Sequence, residues 1–167
     1  MPTPAIPSVD IRRATALDEE GILQCLRMAF APYLHLYTPC AFEDTVLTPQ
    51  LLRTRLRTMS VFVAEISSGQ TVGTVACSLL SPAEGHLRGM AVLPNWQGRG
   101  IAKQLLDCAE TELRRTGCER ITLDTTEPLI QATRFYERNG FLRTGKISDF
   151  FGMPLIEYAK ESAALLG

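Results

Sequence analysis

The chain has 167 residues, of which 46% are hydrophobic, so it is long enough to bury a substantial core and too short for two comfortable domains. Its 17 Lys and Arg nearly balance 18 Asp and Glu, which gives no electrostatic reason to expect nucleic acid or an acidic membrane surface as a partner. We therefore predict one domain, residues 10–167, after a flexible N-terminal tail, residues 1–9.

The sequence also indicates in which cellular compartment the protein is expected. The tail is rich in Pro and lacks the basic and continuous apolar segments of a signal peptide. No stretch reaches the roughly 18 consecutive apolar residues of a membrane-spanning helix. The five cysteines are odd in number and lack C-x-x-C spacing, so we expect reduced thiols and no metal site. These features favour a soluble, cytoplasmic protein.

The first third of the chain predicts one strand and two helices. Thr15 begins a capping signal, and Thr48-Pro49 combines an N-cap residue with a first-turn proline. Between the two helices, Pro32 and Pro39 bracket a predicted loop. The predicted elements are a strand at 10–13, a helix from 15 to about 30 and a helix from 48 to about 59.

The rest of the chain alternates β-branched runs with helical periodicity. Turns at 67–70 and 81–85 separate three predicted strands at 61–63, 71–80 and 86–93. A helix follows from Gly100 to Gly117, where glycine is typical of a C-terminal stop. The remaining elements are a strand at 121–124, a helix at 129–139 and strands at about 142–147 and 155–159. This order predicts a mixed sheet flanked by helices.

A glycine-rich turn connects the strand at 86–93 to the helix after Gly100. The first N–H groups of a helix lack internal partners and lie at its positive dipole end, so they can bind an anionic oxygen. Gly98 and Gly100 allow close approach and positive φ, and Arg99 adds a charge-assisted donor. An ordinary strand-to-helix turn would also contain such glycines. The Walker and dinucleotide patterns are both absent.

Two segments carry a resemblance to a known family. Gln97–Ala102 resembles the acyl-CoA signature of the GNAT superfamily, Gln/Arg-x-x-Gly-x-Gly/Ala, at every position. Ala132–Phe141 is similar to the later Ala-x-x-x-Tyr-Glu-Lys-x-Gly-Phe segment of that family. The resemblance implies an α/β (α+β) fold with a mixed, mostly antiparallel sheet of six to seven strands flanked by about four helices. It also implies acetyl-CoA as the cofactor.

The resemblance further implies which residues contact the cofactor. In the family, main-chain groups of the strand before the turn pair with the pantetheine arm, and an N–H there can polarise the thioester carbonyl. Tyr136 resembles the family's acid, which protonates the departing thiolate; the alternative is that it only packs beneath the cofactor. The implied cofactor-binding residues are Met90, Ala91, Val92, Gln97, Gly98, Arg99, Gly100, Ile101, Ala102, Thr125, Ala132, Phe135, Tyr136 and Arg138.

A base is needed because only a neutral amine can attack. His86 aligns with a position where some family members carry a glutamate, and its ordinary pKa of about 6.5 suits proton abstraction. Glu84 and an ordered water chain are alternative bases, and His86 is alternatively a surface turn residue. Strand alternation predicts that Arg88 shares a face with His86 and Met90. There it has either a substrate carboxylate or a cross-sheet charge as its partner.

The connection between the first two helices forms one wall of the acceptor site in many family members. Here it carries Tyr33, His35 and Tyr37, which either shape a small pocket or cover the edge of the core.

We predict an acetyl-CoA-dependent N-acetyltransferase that acts by direct attack on a primary amine of a small molecule, an amino-acid conjugate or a peptide. Two alternatives remain open. One is a non-catalytic acyl-CoA-binding or regulatory module, and the other is a transferase for another acyl group or a hydroxyl acceptor. We expect no nucleic-acid or membrane partner. Pairing of two subunits through their last strands, as in many family members, is also left open.

Overall fold

A single sheet runs through residues 8–161, the part of the chain that the computed structural model describes. Its order is β1-β2-β3-β4-β5-β7-β6, and all neighbouring strands are antiparallel except β4 and β5. Seven strands among the described residues agree with the predicted mixed, mostly antiparallel sheet. The strands are β1 Val9–Arg13, β2 Ser60–Ile66, β3 Thr71–Ser81, β4 Glu84–Val92, β5 Arg120–Thr126, β6 Leu142–Phe150 and β7 Met153–Glu161.

The observed strands are longer than the predicted ones at several turns. β4 begins at Glu84, because only Pro82 and Ala83 separate it from β3. β6 and β7 extend to a tight turn at Phe151 and Gly152, where φ is 50° and 89°. Two consecutive positive φ values suit a hairpin turn, since they match the right-handed twist of the paired strands. The sequence patterns predicted these strands too short, because residues next to the turns were assigned to loops.

Five α-helices flank the sheet within the described residues: α1 Glu19–Phe30, α2 Pro39–Val46, α3 Pro49–Thr58, α4 Ile101–Arg115 and α5 Ile130–Arg138. The predicted cap at Thr15 is present, although it starts a 3₁₀ turn that continues into α1. The loop predicted between Pro32 and Pro39 is wrong in part. Residues Ala31–Leu36 form a 3₁₀ helix, and α2, which was not predicted, begins at Pro39.

The predicted tail, residues 1–9, lies mostly outside the described residues. Its last residue, Val9, is the first residue of β1, one position earlier than predicted. No helix in the described part of the chain is both long enough and apolar enough to span a membrane.

The sheet buries a core on each of its faces. On one face, α4 packs Leu105 and Leu106, both fully buried, against strand residues such as Phe62. On the other face, α1 and α3 pack against residues such as Val63 and Ala76. Complete burial of a leucine stabilises a fold by about 1.5–3 kcal/mol, so these two layers fix the sheet firmly between the helices.

The centre of the sheet is open at one end. β4 and β5 are paired only over Glu84–Leu87 and Arg120–Leu123, and the two strands separate beyond those residues. In the same region β4 contains a bulge against β3, where Gly89 has a φ of 64°. A bulge inserts one extra residue and re-aims the side chains that follow it. The separation and the bulge together create an open space between the two strands.

Candidate active site

A cavity of about 850 Å³ occupies the space between the separating ends of β4 and β5. Its walls include residues from both cores, such as Ala102 and Tyr136 on the α4 face and Phe30 and Tyr33 on the opposite face. The cavity therefore runs between the strands from one face of the sheet to the other. A cavity of this size is in the usual range for a small-molecule or cofactor site.

We call one part of this cavity the glycine-turn half, lined by Gln97, Gly98, Ala102, Ala132 and Arg138. Gly98 and Gly100, where φ is 77° and 79°, shape the turn before α4. A Cβ on either glycine would meet no other atom within 4 Å. Glycine is thus required here by backbone conformation, and the space in front of the turn is open.

The edge of β4 at the glycine-turn half has one main-chain carbonyl already bound. The Leu93 N–H donates to the Val72 carbonyl of β3 over 2.9 Å, so the preceding residue, Val92, directs its main-chain groups to the opposite edge. There the Gln97 side-chain amide donates to the Val92 carbonyl over 3.1 Å. The Val92 N–H faces the same edge, on the side where β5 has separated from β4.

We call the other part the arginine half, lined by Tyr33, Tyr37, Asp44, Arg55 and Arg88. Arg88 forms an ion pair with Asp44 of α2, at a distance of 3.5 Å. The Nη1 atom of Arg55, from α3, lies 2.5 Å from the point that a Cβ on Gly89 would occupy. Glycine at the bulge therefore leaves the room that this guanidinium fills.

A hydrogen bond fixes the aromatic wall of the arginine half. The hydroxyl groups of Tyr37 and Thr126 lie 2.6 Å apart and are buried. This bond joins the end of the 3₁₀ helix Ala31–Leu36 to the end of β5, two elements that are far apart in sequence.

His86 and Asp124 lie side by side where the two strands begin to separate. The His86 Nδ1 is 2.8 Å from the Thr122 hydroxyl, and its Nε2 is 3.5 Å from the Asp124 carboxylate. Burial lowers the pKa of His86, with Arg88 adding to the effect and the Asp124 carboxylate opposing it. Burial also raises the pKa of Asp124. The imidazole is therefore neutral near pH 7 and able to accept a proton.

Tyr136 lies on the α4 face of the sheet and lines the cavity. Its ring packs edge-on against Phe141, with the ring centroids 5.9 Å apart. Burial raises the pKa of Tyr136 far above its ordinary value, because the phenolate would be poorly solvated. The group therefore remains a protonated hydrogen-bond donor across the physiological pH range.

The bulge corrects one prediction about β4. Arg88 pairs with Ala76 of β3, so it lies on the α1 face of the sheet with His86, as predicted. Met90 was predicted on the same face, but it packs into the core on the α4 face. Because Gly89 adds one residue to the strand, simple alternation fails there. Met90 is consequently on the face of Tyr136, and His86 with Asp124 is on the opposite face.

Most residues predicted for a site line this one cavity. Four do not: Arg99 stacks on Trp96 with its Cζ 4.6 Å from the ring centroid, His35 is exposed on the 3₁₀ helix, Gly100 lies in the turn outside the wall, and the Ile101 side chain is buried in the core. Glu84, the alternative base, is likewise not on the wall. The predicted residues that line it are Tyr33, Tyr37, His86, Arg88, Met90, Ala91, Val92, Gln97, Gly98, Ala102, Thr125, Ala132, Phe135, Tyr136 and Arg138.

Sequence reasoning missed three charged residues of the wall: Asp44, Arg55 and Asp124. Asp124 ends a predicted strand, and a carboxylate at the end of a buried strand could have drawn attention. Arg55 lies among Arg53 and Arg57 on α3, and nothing in the sequence distinguishes it from these neighbours, which are exposed. Asp44 belongs to the helix that was not predicted.

Comparison with known proteins gives a consistent result. Residues 23–141 match the model of the acetyltransferase (GNAT) family, which covers more than half of the chain. The chain is 32% identical over 104 residues to the aminoglycoside N(6')-acetyltransferase type 1 of Stenotrophomonas maltophilia, a match that covers 58% of this chain and 67% of that enzyme. It is 29% identical over 86 residues to the N-alpha-acetyltransferase MAK3 of Arabidopsis thaliana, spanning 50% of this chain and only 45% of that protein.

Solved structures share the fold. A GNAT-family acetyltransferase from Staphylococcus aureus has a TM-score of 0.76 at 18% identity, with 92% of this chain and 99% of that chain covered. The PaiA N-acetyltransferase of Thermoplasma acidophilum, solved in complex with coenzyme A, has a TM-score of 0.75 at 20% identity over the same shares.

Proposed function

Since this chain belongs to the acetyltransferase (GNAT) family, we propose that it transfers an acetyl group from acetyl-CoA to a primary amine by direct attack. One observation carries the proposal: the cavity passes between β4 and β5, with a base candidate on one face of the sheet and an acid candidate on the other. An amine entering from the arginine half would meet a thioester held from the glycine-turn half.

The glycine-turn half fits the phosphates of coenzyme A. The open space in front of Gly98 and Gly100 lets an anion reach the first N–H groups of α4, where the helix dipole favours negative charge. Gly100 and Ile101 would contribute through their backbone N–H groups, so the Ile101 side chain, which is buried in the core, need not line the wall. Arg138 is positioned on the wall as a further cation.

The separated edge of β4 fits the pantetheine arm. The Val92 N–H faces this edge and is available as a donor to an amide carbonyl of the arm. Ala132 and Phe135 of α5, together with Thr125 of β5, would form the opposite wall. Acetyl-CoA would supply the acyl group and carry away the thiol.

Proton removal from the amine is assigned to His86 and Asp124. Thr122 holds the His86 Nδ1, which leaves the Nε2 on the side of Asp124 and the cavity. With its pKa lowered by burial, the neutral imidazole can accept the amine proton, directly or through one water molecule. Asp124 would stabilise the imidazolium that forms. Arg88, in the same half, also disfavours a protonated, cationic amine.

Tyr136 is assigned to the departing thiolate on the opposite face. Its raised pKa lies well above the value of about 8.5 for a cysteine-like thiol, so complete proton transfer would be uphill. Its role is therefore better described as a hydrogen bond donated to the sulfur as negative charge develops. Protons then balance, since the one removed at His86 leaves on that side and the thiolate takes its proton from solvent.

The test is thiol release from acetyl-CoA in the presence of a panel of amines, amino acids, peptides and aminoglycosides. We expect release that depends on at least one amine, with the acetylated product identified by mass. Coenzyme A binding without release for any member would instead support a non-catalytic acyl-CoA-binding module. A product acetylated on oxygen would support a hydroxyl acceptor.

A further inference from the structure

The arginine half of the cavity carries two guanidinium groups and one nearby carboxylate. Arg88 and Asp44 are paired at 3.5 Å, a loose contact for an ion pair. Among the described residues, Arg55 has no carboxylate within 4.0 Å, although it lies close enough to Arg88 and Asp44 to feel both charges. The other carboxylate of the wall, Asp124, faces His86. Arg55, Arg88 and Asp44 together therefore give the arginine half an excess of one positive charge.

Arg55 is held in an unusual environment for a cation. Burial lowers the pKa of Arg55 to about 10, and the charge of Arg88 acts in the same direction. The charged form is thus less stable here than in water, and an anion beside it would offset that cost. Its neighbours on α3 differ: Arg53 is paired with Glu19 at 3.0 Å, and Arg57 is exposed.

The position of Arg55 limits where that anion would lie. The guanidinium contacts the bulge at Gly89, and Met90 is the next residue along the strand. Consecutive Cα atoms are only about 3.8 Å apart, so the guanidinium lies beside the stretch of β4 that leads to Val92, the residue proposed to bind the pantetheine arm. Arg88 lies close enough to both Arg55 and His86 for its charge to act on the pKa of each, so an anion at Arg55 and an amine near His86 can belong to one small molecule.

We propose that Arg55 and Arg88 bind a carboxylate of the acceptor, which is a free amino acid or a similarly small amine carrying a carboxylate. This specificity rests on the proposed acetyl transfer and narrows its substrate class. A planar guanidinium can bind both oxygens of a carboxylate, and Arg88, whose contact with Asp44 is loose, supplies a second guanidinium for the same group. The Arg88 side chain is 47% exposed, so we expect the acceptor to reach this site from solvent beside Arg88.

The experiment compares acids with their amides. Thiol release from acetyl-CoA is measured with each proteinogenic amino acid, with β-alanine and 4-aminobutyrate, and with the corresponding carboxamides. For the preferred acceptor we expect kcat/KM to be on the order of 30-fold higher for the acid than for the amide. The amide lacks the carboxylate charge, and a ratio of this size is expected when one hydrogen-bonded charge is lost. The amide has the less basic amine, so a larger fraction of it is neutral, and this preference cannot arise from amine ionisation.

Variants on α3 locate the effect. Arg55→Gln should sharply reduce the acid-to-amide ratio, with Arg88 keeping a small part of it. Arg55→Lys should retain more, because the charge remains while the bidentate geometry is lost. Arg57→Gln is the matched control on the same helix and should leave the ratio unchanged. The ratio compares two substrates on one folded protein, so a loss of stability in a variant does not change its interpretation.

The outcomes distinguish the carboxylate site from the proposed acetyl transfer. Equal kcat/KM for acids and amides, or an Arg55→Gln variant that lowers both alike, overturns the carboxylate site and leaves acetyl transfer standing. Calorimetric titration of the same amino acids into protein saturated with coenzyme A gives a readout without turnover. Binding that Arg55→Gln abolishes, with no thiol release, supports the carboxylate site and contradicts acetyl transfer; no binding and no release for any acid overturns the site.

Discussion

The glycine-turn half and the arginine half of the cavity are built from different parts of the chain. The first depends on backbone conformation in one short segment, with positive φ at Gly98 and Gly100 ahead of α4. The second depends on side chains from three separate elements, Asp44 of α2, Arg55 of α3 and Arg88 of β4. A site built from backbone suits a ligand common to a whole family, whereas a site built from side chains can change its specificity by substitution.

The largest effect that would test this contrast is expected at the turn. Gly100→Val should weaken coenzyme A binding on the order of 100-fold, because a β-branched residue is strained at a φ of 79° and its side chain fills the open space before α4. Affinity is measured by calorimetry. Gly69→Val is the control, since Gly69 has a φ of 91° and equally open surroundings in the β2–β3 turn. Equal coenzyme A affinity in both variants would remove the turn from the site.

The next effect concerns the α4 face of the sheet. Tyr136→Phe should lower kcat by about 10- to 100-fold, the contribution expected of one hydrogen bond to a developing charge, while coenzyme A affinity changes little. Tyr158→Phe, a buried tyrosine away from the cavity, serves as the control. An unchanged kcat for Tyr136→Phe, in conditions where the chemical step limits the rate, would leave Tyr136 with a packing role only.

A smaller effect is expected from the base, and it depends on pH. His86→Gln should lower kcat/KM by about tenfold at neutral pH. It should also remove the fall of kcat/KM at acid pH, the acid limb of the pH profile, which in the wild type should lie below the ordinary histidine pKa of about 6.5. The sign follows from the lowered pKa of His86, since activity needs the neutral ring and is lost as pH falls through that value.

Asp124→Asn sharpens this prediction. The Asp124 charge opposes the lowering of the His86 pKa, so its removal should move the acid limb to still lower pH. Ionisation of the acceptor amine affects wild type and variants equally and cancels in the comparison. Identical pH profiles for all three proteins would exclude His86 as the base.

The smallest effect is expected in the arginine half. Thr126→Val leaves the buried Tyr37 hydroxyl without its partner, which should cost about 1–3 kcal/mol in the free energy of unfolding, measured in urea. The KM for the acceptor should rise a few-fold while coenzyme A affinity stays constant, because only the aromatic wall loosens. A change in coenzyme A affinity of similar size would show that the two halves are coupled.

Helix α2 shows how far local signals could have gone. Thr38-Pro39 has the same N-cap and first-turn proline as Thr48-Pro49, and the Thr38 hydroxyl accepts from the Ala41 N–H over 3.3 Å. The same chemistry was used to predict α3 and overlooked for α2, because Pro39 was interpreted as the end of a loop. This helix was predictable from sequence, and with it the assignment of Asp44 to a helix.

The sequence by itself determined the class of fold, the family and the glycine turn. These depend on local properties: hydrophobic period, capping residues, and glycines where φ must be positive. Only the tertiary structure decided which side of the sheet each side chain of β4 faces, because the bulge at Gly89 changes the alternation by one residue. It also decided that Arg55 and Asp124 belong to the cavity while His35 does not, since such placement depends on how elements distant in sequence pack together.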